Sequence, residues 1–122
     1  MLGILLMARY TCSFTVAGSL ETLQQALVET LESCNFEIIY DTGDYVMARE
    51  RPGRVAFARL VTLEALIDKT TATLEGVGVN FVVKNEELPL QVNNHCRQMY
   101  DRLMENLVSQ ETLQLIERVA AV

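Results

Sequence analysis

From Arg9 to Val16 apolar and polar residues alternate one for one. Tyr10, Cys12, Phe14 and Val16 fall on one side, and Arg9, Thr11, Ser13 and Thr15 on the other. A period of two, carried by aromatic and β-branched residues, predicts a half-buried strand. After Gly18 the period changes. Leu20, Leu23, Leu27, Leu31 and Cys34 recur at helical spacing, with Val28 at the margin of the stripe, and this predicts an amphipathic helix. Ser19 suits its N-cap, Glu21 its first turn and Asn35 its C-terminal stop.

Four further strands are expected. "FEIIYDT" and "YVMARE" are two short strands broken at Gly43-Asp44. "RPGR" follows, with Pro52 and Gly53 placed for a type II turn. Val55 to about Ile67 reads as one long strand, with Val55, Phe57, Val61, Leu63, Ala65 and Ile67 on one face and Arg59 interrupting it. "DKT" turns the chain, and residues 71–85 return as a fifth strand with Val77, Val79, Phe81 and Val83 on one face. Gly76 and Gly78 on the other face suggest a bulge, strong curvature or a close approach.

Pro89 fits the lead-in to a closing helix. Val92, Cys96, Met99, Tyr100, Leu103, Met104 and Leu107 then recur at spacings of three and four. The sequence Ser-x-Glu-Thr-Leu-Gln at 109–114 repeats that at 19–24. It marks a second helix start, so a break near Ser109 and a short extra C-terminal helix are expected. The predicted order is β-α-β-β-β-β-α: an α+β class with a curved antiparallel sheet covered on one face by helices. This order resembles the plan of the TATA-binding-protein-like and helix-grip folds. The resemblance lies in topology over most of the chain and rests on no motif. It implies a sheet gripping the closing helix, with a cavity between them.

At 122 residues, one domain spanning 1–122 is expected, large enough to hold a core without staples. Residues 1–7 are apolar but too short for a signal core or a membrane helix. They are expected to be a disordered leader, an edge strand, or an extension preceding a start at Met7. A net charge of −6 and a pI near 4.7 disfavour nucleic acid and anionic membrane as partners. Three widely spaced cysteines with no CxxC, and a single histidine, fit free thiols in a reducing cytoplasm and no Cys/His metal site. No cofactor motif is present.

His95 and Cys96 invite a catalytic reading, but helix neighbours point about 100° apart and cannot form a thiolate–imidazolium pair. Cys96 belongs to the apolar stripe, and His95 is expected at its boundary. Arg49, Arg51, Arg54 and Arg59 are four of the ten basic residues and lie within one short span. Around a hairpin tip the first three could converge on a carboxylate or phosphate. Arg59 could pair with Glu64 or Glu75, or line a cavity as a polar anchor. Glu37, Asp41, Asp44, Glu50, Glu64, Asp68 and Glu75 read as solvated charge, as do Glu86 and Glu87 in their loop. Met99, Leu103, Met104 and Leu107 are core or a partner surface, and Leu113 and Ile116 extend that apolar tail. The expected function is therefore a non-enzymatic cytoplasmic accessory or regulatory protein that binds a protein partner and forms a homo-oligomer. The alternative is a carrier or sensor of an apolar or anionic ligand held between sheet and closing helix.

Overall fold

A computed structural model describes residues 7–17, 19–68, 76–87, 94–109 and 114–121. In chain order the elements are β1 (Arg9–Ala17), α1 (Leu20–Ser33), β2 (Phe36–Asp41), β3 (Tyr45–Glu50), β4 (Thr62–Asp68), β5 (Val77–Lys84), α2 (His95–Val108) and β6 (Gln114–Ala121). The strands form one antiparallel sheet in the order β2-β3-β4-β5-β1-β6. The α+β class and the one-sided helix layer follow the expectation. Among the described residues no helix is long and apolar enough to cross a membrane.

The period-two residues meet in register. Tyr10, Val83, Leu63 and Ala48 form one cross-strand row, and Cys12, Phe81, Ala65 and Val46 form the next. All eight are buried. α1 adds Leu23, Leu27 and Leu31, and α2 adds Cys96, Met99, Tyr100, Leu103, Met104 and Leu107, all buried. Ser19 caps α1 as expected, its Oγ accepting from the Thr22 N–H at 3.1 Å. Asn35 ends the helix at φ 70°, the left-handed conformation that asparagine tolerates at this position. Gly43 and Gly53 have φ of 95° and 121°, as their turns require.

Two expectations fail. The predicted long strand starts only at Thr62. The β3–β4 ladder closes where the Glu50 N–H donates to the Val61 carbonyl at 2.8 Å, and residues 51–60 leave the sheet. Within that excursion Phe57–Arg59 form a single 3₁₀ turn. The alternation of Val55, Phe57 and Arg59 therefore belongs to no strand. The tail is not a helix either: Gln114–Ala121 pairs along β1. An open β1 edge presents a full row of unpaired backbone groups, and pairing them outweighs a weak helical period. Gly78 sits in an unbroken register with both Thr15 and Asp68, so the sheet irregularities lie elsewhere, at Thr15/Val16 and Ile38/Tyr40. Residues 1–6, 18, 69–75, 88–93, 110–113 and 122 lie outside the described residues, and with them Glu75, Pro89, Val92 and the Lys69-Thr70 part of the "DKT" turn.

Candidate functional site

Chemistry-bearing side chains gather in three places: under the head of α2, on the outer sheet face, and in a groove past the strand ends. The first is buried. The Glu87 carboxylate is 5 % exposed and closes the N-terminus of α2. One oxygen accepts from the Cys96 N–H at 2.8 Å and from the Asn85 amide. The other accepts from the His95 N–H and from Arg59 Nε, both at 3.1 Å. The Asn94 side chain caps the next donor, the Arg97 N–H, at 3.0 Å. Three orphan donors of the first turn are thus satisfied, and the carboxylate sits at the positive end of the helix dipole. Burial alone raises the Glu87 pKa. The hydrogen bonds from Asn85, His95, Cys96 and Arg59 outweigh it, and the net shift is downward.

Glu50 lies beside it, 1 % exposed. His95 Nε2 sits 2.8 and 2.9 Å from its two oxygens, and the Val61 N–H donates to it at 3.1 Å. The one ring nitrogen thus bridges both Glu50 oxygens. The solvated reading of Glu50 and Glu87 is therefore wrong. Both turn inward because β3's last side chain and the 85–87 turn face donors that only a buried acceptor can satisfy. His95 is likewise a buried partner rather than a boundary residue. Cys96 is fully buried. Burial, and then the charges of Glu87 and Glu50, push its pKa up to about 12, so its thiol is inert. Burial also lifts the Cys34 thiol. Among the described residues no three His, Cys, Asp or Glu side chains are placed to hold a metal ion.

Arg59 thus pairs with Glu87, and it does not border the gap between sheet and helices. The gap between sheet and helices, bounded by Phe14, Val79, Phe81, Leu23, Leu27 and Leu107, measures about 20 Å³, room for one water. The expected ligand cavity is not found there: the aromatic and leucine side chains fill the space.

The second place is the sheet face turned away from the helices. Its rows run across three to five strands: Glu37–Arg49–Thr62–Lys84–Arg9, then Tyr40–Met47–Glu64–Val82–Thr11, then Tyr45–Leu66–Asn80–Ser13, and last Asp68–Gly78–Thr15. Tyr40 and Leu66 are 55 % and 50 % exposed. Tyr45 donates its hydroxyl to Glu64 at 3.0 Å and packs edge-on against Tyr40. Lys84 Nζ stands 4.0 Å from Glu64.

The third place is a groove of about 360 Å³ bordered by Arg49, Thr62, Lys84, Phe57 and Leu60, with the Phe57 ring 79 % exposed. Of Arg49, Arg51 and Arg54, expected to converge, only Arg49 reaches this groove. Arg51 and Arg54 are exposed outside it, and Arg59 is turned to Glu87. Met99, Leu103, Met104 and Leu107 are core at 0–6 % exposure and give no partner surface, because β1 and β5 cover that side of α2. Leu113 lies outside the described residues, and Ile116 falls within β6. Sequence reasoning missed the outer face because it reads as the polar half of each alternation. Its apolar members Met47, Leu66 and Val82 are isolated along the chain and adjacent only in register. Compared with known protein families, with curated proteins and with solved structures, the chain matches none.

Proposed function

We propose that this chain is a non-enzymatic binding protein, a small accessory or regulatory subunit that acts through protein–protein contact at the open face of its sheet. One observation carries the reading. Both helices pack on one side, and the other side gathers Tyr40, Tyr45, Met47, Leu66 and Val82 around Glu64, which accepts from the Tyr45 hydroxyl. A patch of this kind, rimmed by charge, is the usual form of a partner surface. The buried thiols and the fully committed Glu50–His95 pair supply no accessible nucleophile or base, which supports a binding role. Three free cysteines support a reducing, cytoplasmic setting. Native mass spectrometry of the protein drawn from its source cell tests the reading. A protein assembly of fixed stoichiometry that Leu66→Glu dissolves is the expected result. A bare monomer in both forms would sink it.

A second reading is favoured by the groove beside Arg49 and Lys84: a carrier or sensor of a small anion, held outside the core rather than beneath α2. Calorimetric titration with inorganic phosphate and with citrate checks this, with binding lost in Arg49→Ala. Absence of heat with both anions removes it.

A further inference from the structure

We infer that the groove between the strand ends and the 3₁₀ turn takes an aromatic monocarboxylate, its carboxylate on Arg49 and Thr62 and its aryl body against Phe57 and Leu60. The inference rests on the second, small-anion reading above and names the ligand class for that groove. The floor is built by register. Thr62 at the start of β4 lies between Arg49 of β3 and Lys84 of β5. At about 4.8 Å per strand, the two cationic residues stand roughly 10 Å apart with the hydroxyl residue between them. The excursion supplies a further wall: Phe57 opens the 3₁₀ turn and Leu60 follows it, and both border the groove. The site is thus cationic and hydrogen-bonding in one part and apolar in the other.

The head of the ligand is set by charge. Among the described residues the Arg49 side chain forms no ion pair and the Thr62 hydroxyl no hydrogen bond, although Glu37 stands opposite Arg49 in register. A planar guanidinium fork beside a hydroxyl matches a carboxylate. Lys84 is already shared with Glu64 at 4.0 Å, and Glu86 borders the groove. A second negative charge on the ligand would meet a carboxylate rather than a spare cation, and the net charge of −6 opposes it further. A monoanion is therefore the match. The body is set by the apolar wall. The Phe57 ring is 79 % exposed, and an aryl group gains from ring-on-ring contact beyond the area it buries. An aryl group is also rigid, so it loses fewer rotors on binding than an alkyl chain of equal size. The groove measures about 360 Å³. At roughly 30 Å³ per water-sized group, it holds on the order of a dozen non-hydrogen atoms, which suits a phenyl ring on a short carboxylate arm. Inorganic phosphate fills only part of that space and leaves Phe57 in water.

Calorimetric titration of the full chain with phenylpropionate, with its neutral amide and with inorganic phosphate is the test. Phenylpropionate should bind at least about tenfold more tightly than phosphate, because only it covers the Phe57 ring. The amide should bind at least about tenfold more weakly than phenylpropionate, because it gives Arg49 no charge to meet. Phe57→Ser should bring phenylpropionate down to the level of phosphate, and Arg49→Ala should abolish the heat from both. The Phe57 ring is solvated and Arg49 has no ion pair to break, so both variants should fold, and circular dichroism checks that they do. Phenylpropionate no tighter than phosphate, or as tight in Phe57→Ser as in wild type, overturns the ligand class. Phosphate heat that still vanishes in Arg49→Ala then leaves the anion reading standing. An amide that binds as well as phenylpropionate overturns the carboxylate head. Silence from phenylpropionate, phosphate and citrate alike removes both the inference and the anion reading.

Discussion

Replacing Glu87 by glutamine exchanges one carboxylate oxygen for an NH2 and should cost the protein much of its margin. Each oxygen of Glu87 accepts two hydrogen bonds: one serves Cys96 N–H and Asn85, the other His95 N–H and Arg59. Glutamine keeps one acceptor and turns an NH2 toward the other pair. Arg59 is over a third exposed and can turn to water, and Asn85 also donates to the Arg59 carbonyl at 3.0 Å. The loss therefore falls on one backbone N–H of the first turn, buried and facing a donor, at about 1–3 kcal/mol. Removing the charge from the dipole's positive end adds about 0.3–2 kcal/mol. Taken together, about 1–5 kcal/mol is expected, out of a total stability of about 5–15 kcal/mol. With unfolding entropy near 2.1 cal/mol/K per residue, the Tm of a 122-residue chain falls by roughly 5–20 °C. The neighbour Glu86 is exposed, and Glu86→Gln should stay within about 0.5 kcal/mol of wild type. Thermal and urea unfolding followed by circular dichroism measure both. A Glu87→Gln Tm within about 2 °C of wild type would refute the argument that this carboxylate anchors α2.

Acid should act through the same group. The folded pKa of Glu87 lies below its ordinary value. Its stabilisation is therefore present above the ordinary carboxylate range and is lost as pH falls through the folded value. Wild type should lose stability more steeply than Glu87→Gln as pH drops below about 4.5, and parallel curves would contradict this. Cys96, with its thiol pushed up to about 12 and fully buried, should resist iodoacetamide at pH 8 in the native protein and react fully in urea; prompt native labelling would contradict the core assignment. Phe57→Ser should leave stability unchanged within about 0.5 kcal/mol, because the ring is 79 % exposed; a large loss in urea unfolding would mean the 51–60 excursion packs on something in solution.

The sequence made the core legible where a face repeats regularly. Tyr10, Cys12, Phe14 and Val16, the Leu23–Leu27–Leu31 stripe and the Cys96–Leu107 stripe all fall where period and capping put them. It misled where local pattern and long-range pairing disagree. Phe57 and Arg59 continue an alternation begun by Val55, yet the ladder has already closed at Glu50 and Val61. Leu115 and Ile116 follow a helix-start pattern, yet the open edge of β1 draws Gln114–Ala121 into a strand. The polar cluster could not be read at all. Glu50 lies 45 residues before His95 in the chain, and nothing local marks Glu87 as buried and Glu86 as exposed. The outer face was hidden for a similar reason: Arg49, Thr62, Lys84 and Arg9 become one row only when four strands fall into register.

Hydroxyl-radical footprinting of the wild-type chain, alone and within its source-cell assembly, addresses the open face directly. Met47, Tyr40 and Leu66 should become protected in the assembly, while Phe57 in the excursion and Val108 at the end of α2, both exposed, should keep constant reactivity. Oxidation of Met47 that is the same in both, or protection that appears at Val108 instead, would show that the sheet face is not the surface through which this protein associates.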